Sequence, residues 1–316
     1  MVVSELRNPK SAIRNPFFSI AMRQQYKWVL PRATLELGPR TAIMGILNVT
    51  PDSFSDGDQY FDQAKAIVRG KEIEQEGADI LDIGGESTRP GSEPVPEDEE
   101  TRRVIPVIEA LAPLLRIPIS IDTYRSHVAR KALDAGAQIV NDISGLRFDR
   151  EITAVAQGMA AGLVLMHSRG SRETIHVQTP MHNAFQEVLD GLAASVEKAR
   201  RAGVSGAAIV IDPGIGFGKN AAESLMLLKR LHEFSKLGYP LLVGTSRKSF
   251  IRSITRDASE ARSWGTAATI VAAIMNGAHL VRVHDVRQAR VLADVTDGIL
   301  GSRKPEAGSQ KEDARA

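Results

Sequence analysis

The feature that most constrains the fold of this chain is a unit that recurs eight times: a short apolar run, a polar residue at its end, a loop and a helix-like segment. Runs that are apolar throughout are typical of parallel strands covered on both faces. The eight runs span residues 42–47, 78–83, 117–121, 137–140, 162–166, 207–211, 240–243 and 278–283. Strands that alternate with helices form a parallel sheet, and eight such units predict an α/β fold with a single closed (β/α)8 TIM barrel.

The polar residues that close these runs recur about every 33 residues, which is the length of one strand–helix unit. They are Asn48, Asp82, Asp122, Asn141, His167, Asp212, Ser246 and Arg282. In a barrel the C-terminal ends of all strands meet at one mouth, so these side chains form a candidate site. Any single Asp or Asn there is equally well explained as a helix cap. Their number favours a site.

The remaining segments define the domain organisation. Apolar residues recur at helical spacing in 61–76, 185–199 and 286–293. The segment 28–38 predicts a short hairpin that could plug the floor of the barrel. We therefore expect a loosely ordered N-terminal extension (1–30), a barrel (31–300) and a disordered polar tail (301–316).

Composition excludes several classes of protein. The 316 residues include 40 Lys and Arg and 38 Asp and Glu, so no global basic field indicates nucleic-acid binding. With no cysteine, a disulfide scaffold, a thiol nucleophile and a cysteine-ligated metal are excluded. The N-terminus lacks the apolar core of a signal peptide, and no run of about 18 apolar residues occurs. We expect a cytoplasmic protein with no membrane partner.

Two glycine-rich loops are candidates for ligand binding. Residues 83–91 hold one cation, Arg89, which suits a mobile lid over an anion, although a plain surface loop is the alternative. Residues 212–219 fail the spacing of a phosphate loop and of a dinucleotide fingerprint. We interpret Asp212 as the informative residue and the glycines as room for a flat ligand; the alternative is a tight turn.

Two further segments supply cations. The loop 244–249 carries an Arg, a Lys and three hydroxyls and leads into a short helix from Phe250, an arrangement typical of barrel anion sites. Arg282 and His284 are two residues apart, so both lie on the same side of an extended strand. A rim arginine in a salt bridge and a capping histidine are the alternative.

The combination of groups indicates the ligand. Two carboxylates, Asp122 and Asp212, and the amide of Asn141 suit a heterocycle with adjacent N–H donors, because a carboxylate accepts two parallel hydrogen bonds. The cations suit phosphate, so a bicyclic base with a diphosphate fits both. No metal cage has a recognisable spacing, but Mg²⁺ needs few protein ligands when phosphates supply the rest, and Asn48 could suffice. The absence of a Gly-x-Ser-x-Gly segment argues against a serine hydrolase.

Eight motifs, in order along the chain, closely resemble those of the dihydropteroate synthases of folate biosynthesis. They are MGILNVTPDSFSDG (44–57), DIGGESTRPG (82–91), SIDT (120–123), NDISG (141–145), LMH (165–167), DPGIGFGK (212–219), GTSRKS (244–249) and RVHDV (282–286). The resemblance covers residues from about 35 to 300. Eight such motifs in the right order are highly specific.

The resemblance implies a role for each matching position. Pterin would be bound by Asp122, Asn141, Asp212, Phe217, Lys248 and Arg282, with Arg282 stacked on the ring. The diphosphate would be held by Asn48, Arg89, Arg282 and His284, with Asn48 as a ligand of Mg²⁺. The p-aminobenzoate pocket would be framed by Phe54, Thr88, Arg89, Pro90 and Ser249, and Asp82 would support the site. The catalytic set is then Asn48, Arg89, Lys248, Arg282 and His284.

The implied activity is that of a sulfonamide-sensitive transferase that joins a pterin diphosphate to p-aminobenzoate, and the implied assembly is a homodimer. Two alternatives share the barrel: a corrinoid-type pterin methyltransferase, which has no use for the diphosphate cations, and a paralogue that binds pterin without turnover. The chain departs from the family pattern at Asp58, where Gly is usual, and at Ser168, often apolar. Asp58 lies in the first loop, so it bears on loop closure rather than ring binding.

Overall fold

In the computed structural model of the chain, the described residues are 23–50, 59–87, 92–177, 179–257 and 260–301, with backbone alone for 59–62. Within them lie a two-stranded hairpin and an eight-stranded parallel sheet. The hairpin pairs β1 (Tyr26–Val29) with β2 (Thr34–Leu37). The parallel strands are β3 (Ala42–Asn48), β4 (Ile80–Gly84), β5 (Ile119–Asp122), β6 (Ile139–Asp142), β7 (Gly162–Met166), β8 (Ile209–Asp212), β9 (Leu242–Val243) and β10 (Leu280–Val283).

The sheet closes into a barrel. Its strands follow the order β8-β7-β6-β5-β4-β3-β10-β9. The two ends are joined by a parallel bridge between Ile211 and Leu241, where the Ile211 N–H donates to Pro240 O at 3.0 Å. The predicted (β/α)8 barrel with an N-terminal hairpin is confirmed.

Helices follow every barrel strand, as the periodicity predicts. Those of the described residues are α1 (Gln59–Gln75), α2 (Glu97–Leu111), α3 (Ser126–Asp134), α4 (Ile152–Gly158), α5 (Ala184–Arg201), α6 (Ala221–Lys229), α7 (Ser249–Ile254), α8 (Trp264–Met275) and α9 (Val286–Ile299). The short α7 is the extra helix expected after the seventh barrel strand. None of the described helices combines the length and apolar character that a membrane crossing requires.

Several strands begin two residues later than the apolar runs suggest. The runs from Ala78, Ala137 and Ala278 each follow a glycine with positive φ that ends a helix. The N–H of each alanine donates back to a carbonyl of that helix, as in the link from Ala78 to Ile73 O at 3.2 Å, which is the Schellman pattern. The first apolar residue therefore closes a helix instead of starting a strand.

The hairpin seals one end of the barrel. Trp28 is fully buried, and its indole N–H donates to Ala208 O at 2.8 Å. It packs with Leu37 against inward-facing apolar side chains from the barrel strands, namely Ala42, Met44, Ile80, Ile139, Val164, Val210, Leu242 and Leu280. This apolar floor is the base on which the opposite, polar end of the barrel is built.

Ordered structure begins before residue 31, because β1 lies within the range predicted as the extension. Arg23 donates to Thr41 Oγ1 at 2.7 Å and to Ala278 O at 2.8 Å, and it pairs with the buried Asp297. These contacts fix the entering chain against the barrel. Residues 1–22 and 302–316 lie outside the described residues, so the predicted loose extension and disordered tail are not addressed there.

Candidate active site

A polar layer lies directly above the apolar floor at the C-terminal ends of the strands. Successive side chains of a strand point to opposite sides, so a residue two positions beyond an inward-facing apolar one also faces inward. Four such pairs are Ile80 and Asp82, Ile139 and Asn141, Val210 and Asp212, and Leu280 and Arg282. Asp122 joins them, since it is in register with Asn141 on the next strand. The predicted convergence of polar strand ends at one mouth is therefore found for these five residues. It is wrong for His167, which is three positions beyond the inward-facing Val164, so that its ring lies outside the barrel against Gly191 of α5.

Arg282 connects two carboxylates across this layer. Its Nε donates to Asp82 Oδ2 at 2.6 Å, and its Nη2 donates to Asp122 Oδ2 at 2.5 Å. Asn141 Nδ2 donates to the same Asp82 oxygen at 3.1 Å. Burial acts to lower the pKa of Arg282, but the charges of Asp82 and Asp122 outweigh it and raise that pKa. The guanidinium is thus a permanent cation held by a buried carboxylate that has no access to solvent.

The two carboxylates expected to bind a heterocycle are costly to ionise. Burial raises the pKa of Asp122 to about 7, although Arg282 acts in the opposite direction. Burial also raises the pKa of Asp212 to about 6, although Asp212 Oδ1 accepts a hydrogen bond of 2.7 Å from the Gly214 N–H. A ligand that donates N–H groups to these oxygens would relieve that cost.

Phe217 and Lys248 form one wall of the mouth. The Lys248 Nζ lies 3.5 Å from the centre of the Phe217 ring, a cation–π contact. The imidazole of His176 stacks on the same ring with a centroid distance of 5.5 Å. Burial, and next the charge of Arg282, lower the pKa of Lys248 to about 7. The wall therefore combines an aromatic face with an amine that titrates near neutrality.

The loops after β9 and β10 meet at a second point. Ser246 Oγ lies 2.9 Å from His284 Nδ1 and also accepts from the His284 backbone N–H at 3.3 Å. The Arg247 guanidinium pairs with Asp285 at 2.7 Å, so it is committed to a partner outside the mouth. Ser249, the first residue of α7, is exposed.

Asn48 is the residue on which a metal would depend. Its Oδ1 lies 3.9 Å, and the Oδ2 of Asp122 3.6 Å, from the position that a Cβ on Gly84 would take. A side chain at Gly84 would therefore come close to both of these oxygen atoms. The described residues contain no group of three or more His, Asp or Glu that could hold a metal ion. Oxygen donors of this kind fit Mg²⁺ if a phosphate ligand completes the coordination.

Comparison with known proteins decides the family. The sequence profile of the pterin binding enzymes matches residues 44–284. A dihydropteroate synthase from Synechocystis sp. is 50% identical over 263 residues, which cover 83% of this chain and 91% of that protein. This chain belongs to the dihydropteroate synthase family. It is accordingly an enzyme, a transferase of folate biosynthesis.

Solved dihydropteroate synthases have the same fold. The enzyme from Clostridium difficile, determined in the presence of pteroic acid, is 46% identical and matches with a TM-score of 0.78 over 83% of this chain and 98% of its own. The enzyme from Xanthomonas albilineans with 4-aminobenzoic acid is 39% identical, with a TM-score of 0.81 over 87% and 98% of the two chains. The fold and the motif residues thus agree with one family.

The structure brings together most of the residues that the dihydropteroate synthase motifs single out. Direct contacts or neighbouring register positions link Asn48, Asp82, Asp122, Asn141 and Arg282, and the Phe217–Lys248 wall lies beside Asp212. His284 instead contacts Ser246. Phe54, Thr88, Arg89 and Pro90 lie outside the described residues. Their predicted roles, and the predicted effect of Asp58 on loop closure, stay predictions.

One charged cluster of this chain was not expected from the sequence. The buried Glu86 pairs with Arg172 and, at 3.1 Å, with Arg125, and it accepts from the Tyr124 hydroxyl at 3.1 Å. Arg172 also donates to Ser87 O at 3.0 Å. Three loops, after β4, β5 and β7, are thereby tied together. No spacing pairs residues that are 86 positions apart, so only the folded chain reveals the contact.

Proposed function

We propose that this chain condenses 6-hydroxymethyl-7,8-dihydropterin diphosphate with p-aminobenzoate, giving 7,8-dihydropteroate and pyrophosphate. The observation that carries this proposal is that one barrel mouth holds two carboxylates that are costly to ionise, Asp122 and Asp212, together with the permanent cation of Arg282. Asp122 and Asp212 suit the N–H donors of a pterin, and Arg282, which donates to Asp122, supplies a positive charge that suits a diphosphate.

The pterin would lie on the polar layer. Asp122, Asn141 and Asp212 accept or donate along its hydrogen-bonding edges, and Phe217 covers a face. Asp82 holds Arg282 and Asn141 in place through its Oδ2, which supports its assignment as a supporting residue. Lys248, whose amine already faces the pocket wall, would donate to a ring acceptor.

The diphosphate would lie towards Asn48, Arg282 and His284. Mg²⁺ bound with Asn48 would neutralise charge on the diphosphate and so make it a better leaving group. Arg282 supplies a fixed positive charge to the same oxygens, and His284 is oriented by Ser246. Arg89 would add a cation from the loop after β4.

The reaction then follows a dissociative course. The methylene C–O bond breaks, its electron pair leaves with pyrophosphate, and the electron-rich ring delocalises the positive charge. The neutral amine of p-aminobenzoate forms the new C–N bond and releases a proton to solvent, so no strong general base is required. Phe54, Thr88, Arg89, Pro90 and Ser249 would frame the pocket of the second substrate. A related synthase from Yersinia pestis, 35% identical, was solved with a sulfonamide drug, which supports sulfonamide competition here.

A turnover assay tests the proposal directly. Purified protein with the pterin diphosphate and Mg²⁺ should release pyrophosphate only when p-aminobenzoate is added, and a sulfonamide should compete with p-aminobenzoate. Absence of turnover with retained pterin binding would instead support a non-catalytic pterin-binding paralogue. Tight methyltetrahydrofolate binding without diphosphate affinity would support the corrinoid-type methyltransferase.

Replacing Arg282 separates catalysis from ring binding. We expect Arg282→Met to lower turnover by about 10² to 10³-fold, because one preorganised charge on the leaving group is lost. Pterin affinity should change less, since Asp212 and Asn141 keep their positions. Arg247→Met, which removes a guanidinium directed at Asp285, is the matched control and should stay near the parent rate. Equal losses of rate and of pterin affinity would contradict the diphosphate role.

The surface of α8 and α9 supports a homodimer. These helices pack against each other and expose large apolar side chains: Trp264, Met275, Val291, Val295 and Ile299. Trp264, at the start of α8, is 72% exposed. On α9 the exposed apolar residues Val291, Val295 and Ile299 recur every four positions, so they lie on one face of the helix. Apolar patches of this kind mark protein interfaces.

Analytical ultracentrifugation would test the homodimer. Val295→Glu should yield monomers, because it places a charge in the apolar surface of α9. Leu114→Glu, at an exposed site after α2, should remain dimeric. A monomeric parent protein would rule the dimer out.

We place the enzyme in the cytoplasm. Its lack of cysteine suits a reducing compartment, and its substrates are small metabolites of folate synthesis. Fractionation of cells that express the full chain would test this placement.

A further inference from the structure

Lys219 is a completely buried lysine that the proposed reaction does not use. Its Nζ donates to three backbone carbonyls: Gly214 O at 2.9 Å, Phe217 O at 3.0 Å and His167 O at 3.1 Å. The first two belong to the loop after β8, and the third belongs to the residue that follows β7. All three N–H groups of the ammonium therefore donate to backbone carbonyl oxygens.

The loop that Lys219 holds carries two residues of the pterin pocket. Asp212 lies at its start and Phe217 near its end. Between them Gly214 and Gly216 have φ values of +66° and +78°, and Gly218 has +61°. Glycine has the largest conformational freedom of any residue, so such a loop needs tertiary contacts to stay in one conformation. Lys219 supplies three of them at once.

Lys219 also joins two strand ends. Besides the bond from Lys219 to His167 O, the His167 N–H donates to Asp212 O at 2.9 Å. A Cβ on Gly214 would lie only 2.0 Å from His167 O, so the two backbones are in direct contact. The position of Asp212 relative to the rest of the mouth thus depends on this small group of contacts.

An apolar side chain would be easier to bury here than an ammonium. Within the described residues no carboxylate pairs directly with Lys219, and burial lowers its pKa to about 7. Such a group is retained at a cost to stability, which suggests that its three hydrogen bonds serve the site and not the core.

We propose that Lys219 is a positioning residue for the pterin: by holding the three carbonyls it keeps the Asp212 carboxylate and the Phe217 ring in their binding orientation. The inference rests on the proposed pterin pocket. It assigns a role to the last residue of the 212–219 motif, which matches no phosphate loop. Lys219 acts through Asp212 and Phe217 and does not itself touch the substrate.

The test compares Lys219→Met with a matched lysine. Lys198 on α5 donates to the carbonyl of Leu146, so Lys198→Met also removes a lysine that fixes a mouth loop, but away from Asp212 and Phe217. For each full-length variant we would measure 6-hydroxymethylpterin binding by fluorescence, kcat and the KM of both substrates. We expect Lys219→Met to weaken pterin binding about tenfold or more, while the KM of p-aminobenzoate and kcat change by less than about threefold. Lys198→Met should leave pterin binding, the KM of p-aminobenzoate and kcat near the parent values.

Two further variants keep the result decisive. Lys219→Arg retains donors and should recover part of the pterin affinity; if Lys219→Met does not fold, the same constants measured on Lys219→Arg and Lys219→Gln replace it. Pterin binding equal to that of the parent in Lys219→Met, or in Lys219→Gln if Lys219→Met does not fold, would overturn the proposal, as would equal changes in both KM values and kcat. Asp212→Asn separates failure of the pterin pocket from failure of the positioning role. If Asp212→Asn leaves pterin binding intact, the assignment of the pocket fails. If it weakens pterin binding and the Lys219 variants do not, only the positioning role of Lys219 fails.

Discussion

At the scale of single residues, burial brings the pKa values of several ionisable groups at the barrel mouth towards neutrality. Those of Asp122, Lys219 and Lys248 are about 7, and that of Asp212 is about 6. In each case the largest cause is removal of the charged form from water. The free protein therefore holds charges in its mouth that it would be more stable without, and a polar ligand can bind by satisfying them.

Asp212 shows this conflict between stability and binding most directly. Its folded pKa of about 6 lies above the ordinary value, so its favourable contribution to stability exists at acid pH and is lost as the pH rises through 6. At pH 8 the buried carboxylate costs on the order of 3 kcal/mol. Asp212→Asn should therefore raise the free energy of unfolding at pH 8, measured in urea, while it weakens pterin binding.

Asp149 provides a control of the opposite sign. Hydrogen bonds from Ser126 and Glu151 lower its pKa in spite of partial burial. Asp149→Asn should therefore lose stability at pH 8. If Asp212→Asn is also destabilised at that pH, burial of the Asp212 charge does not oppose folding.

The same carboxylates should make pterin binding depend on pH. Asp122 and Asp212 accept N–H donors fully only when ionised, so affinity should rise as the pH increases from 5.5 to 7.5 and then level off. The expected change is at least about tenfold, since two groups with pKa values of about 7 and 6 must lose protons. Fluorescence titration with 6-hydroxymethylpterin would measure it. Asp122→Asn should bind weakly with a flatter profile, and a parent profile without pH dependence would refute the assignment.

At the scale of elements, loops in direct backbone contact define the site. The loop after β8 turns back against the end of β7, and Gly214 is the point of closest approach. Since both Gly214 and Gly216 have positive φ, alanine at either position is strained. Only at Gly214 would the new Cβ also meet a backbone oxygen, His167 O, at 2.0 Å; at Gly216 the nearest atom is Lys248 Cδ at 3.4 Å.

The glycine pair gives a test of this contact. Gly216→Ala should lower the free energy of unfolding by about 1 kcal/mol, the strain of the left-handed conformation. Gly214→Ala should lower it by at least about 3 kcal/mol, because His167 must move as well. Thermal and urea denaturation would compare them. Similar losses for the two variants would show that the loop moves away from β7 without difficulty.

At the scale of the whole molecule, one end of the barrel is closed so that the other can remain polar. His279 links the entering chain to this closed end: its Nδ1 accepts from the Leu241 N–H at 3.1 Å, and its Nε2 donates to Gln24 O at 2.9 Å. This arrangement requires the neutral imidazole. Burial lowers the pKa of His279 to about 4.

His279 should therefore contribute to acid sensitivity. Its stabilising effect is complete above about pH 6.5 and is lost as the pH falls through 4, with a total on the order of 3 kcal/mol. His279→Gln, which can keep both hydrogen bonds without titrating, should lose less stability than the parent between pH 6.5 and 4. His232→Gln, at an exposed position, should follow the parent. Parallel curves for the parent and His279→Gln would contradict the role of the imidazole.

The periodicity of the sequence was enough to predict the barrel and five of the polar residues at its mouth. Strands covered on both faces must be apolar throughout, so they stand out, and their C-terminal polar residues must meet because parallel strands end at one rim. The motifs then indicated the family. Strand starts were less certain, because residues such as Ala78 serve a helix end and a strand run equally well in sequence.

The connections among those residues could not be predicted from the sequence. Arg282 donates to Asp82 and Asp122, which are 200 and 160 positions away. Lys219 donates to the carbonyl of His167, 52 positions away, and Glu86 forms an ion pair with Arg172. Hydrogen bonds and ion pairs depend on distances of about 3 Å, which no periodicity along the chain encodes. Burial, which sets the pKa values of Asp122, Asp212, Lys219 and Lys248, is likewise a property of the closed barrel.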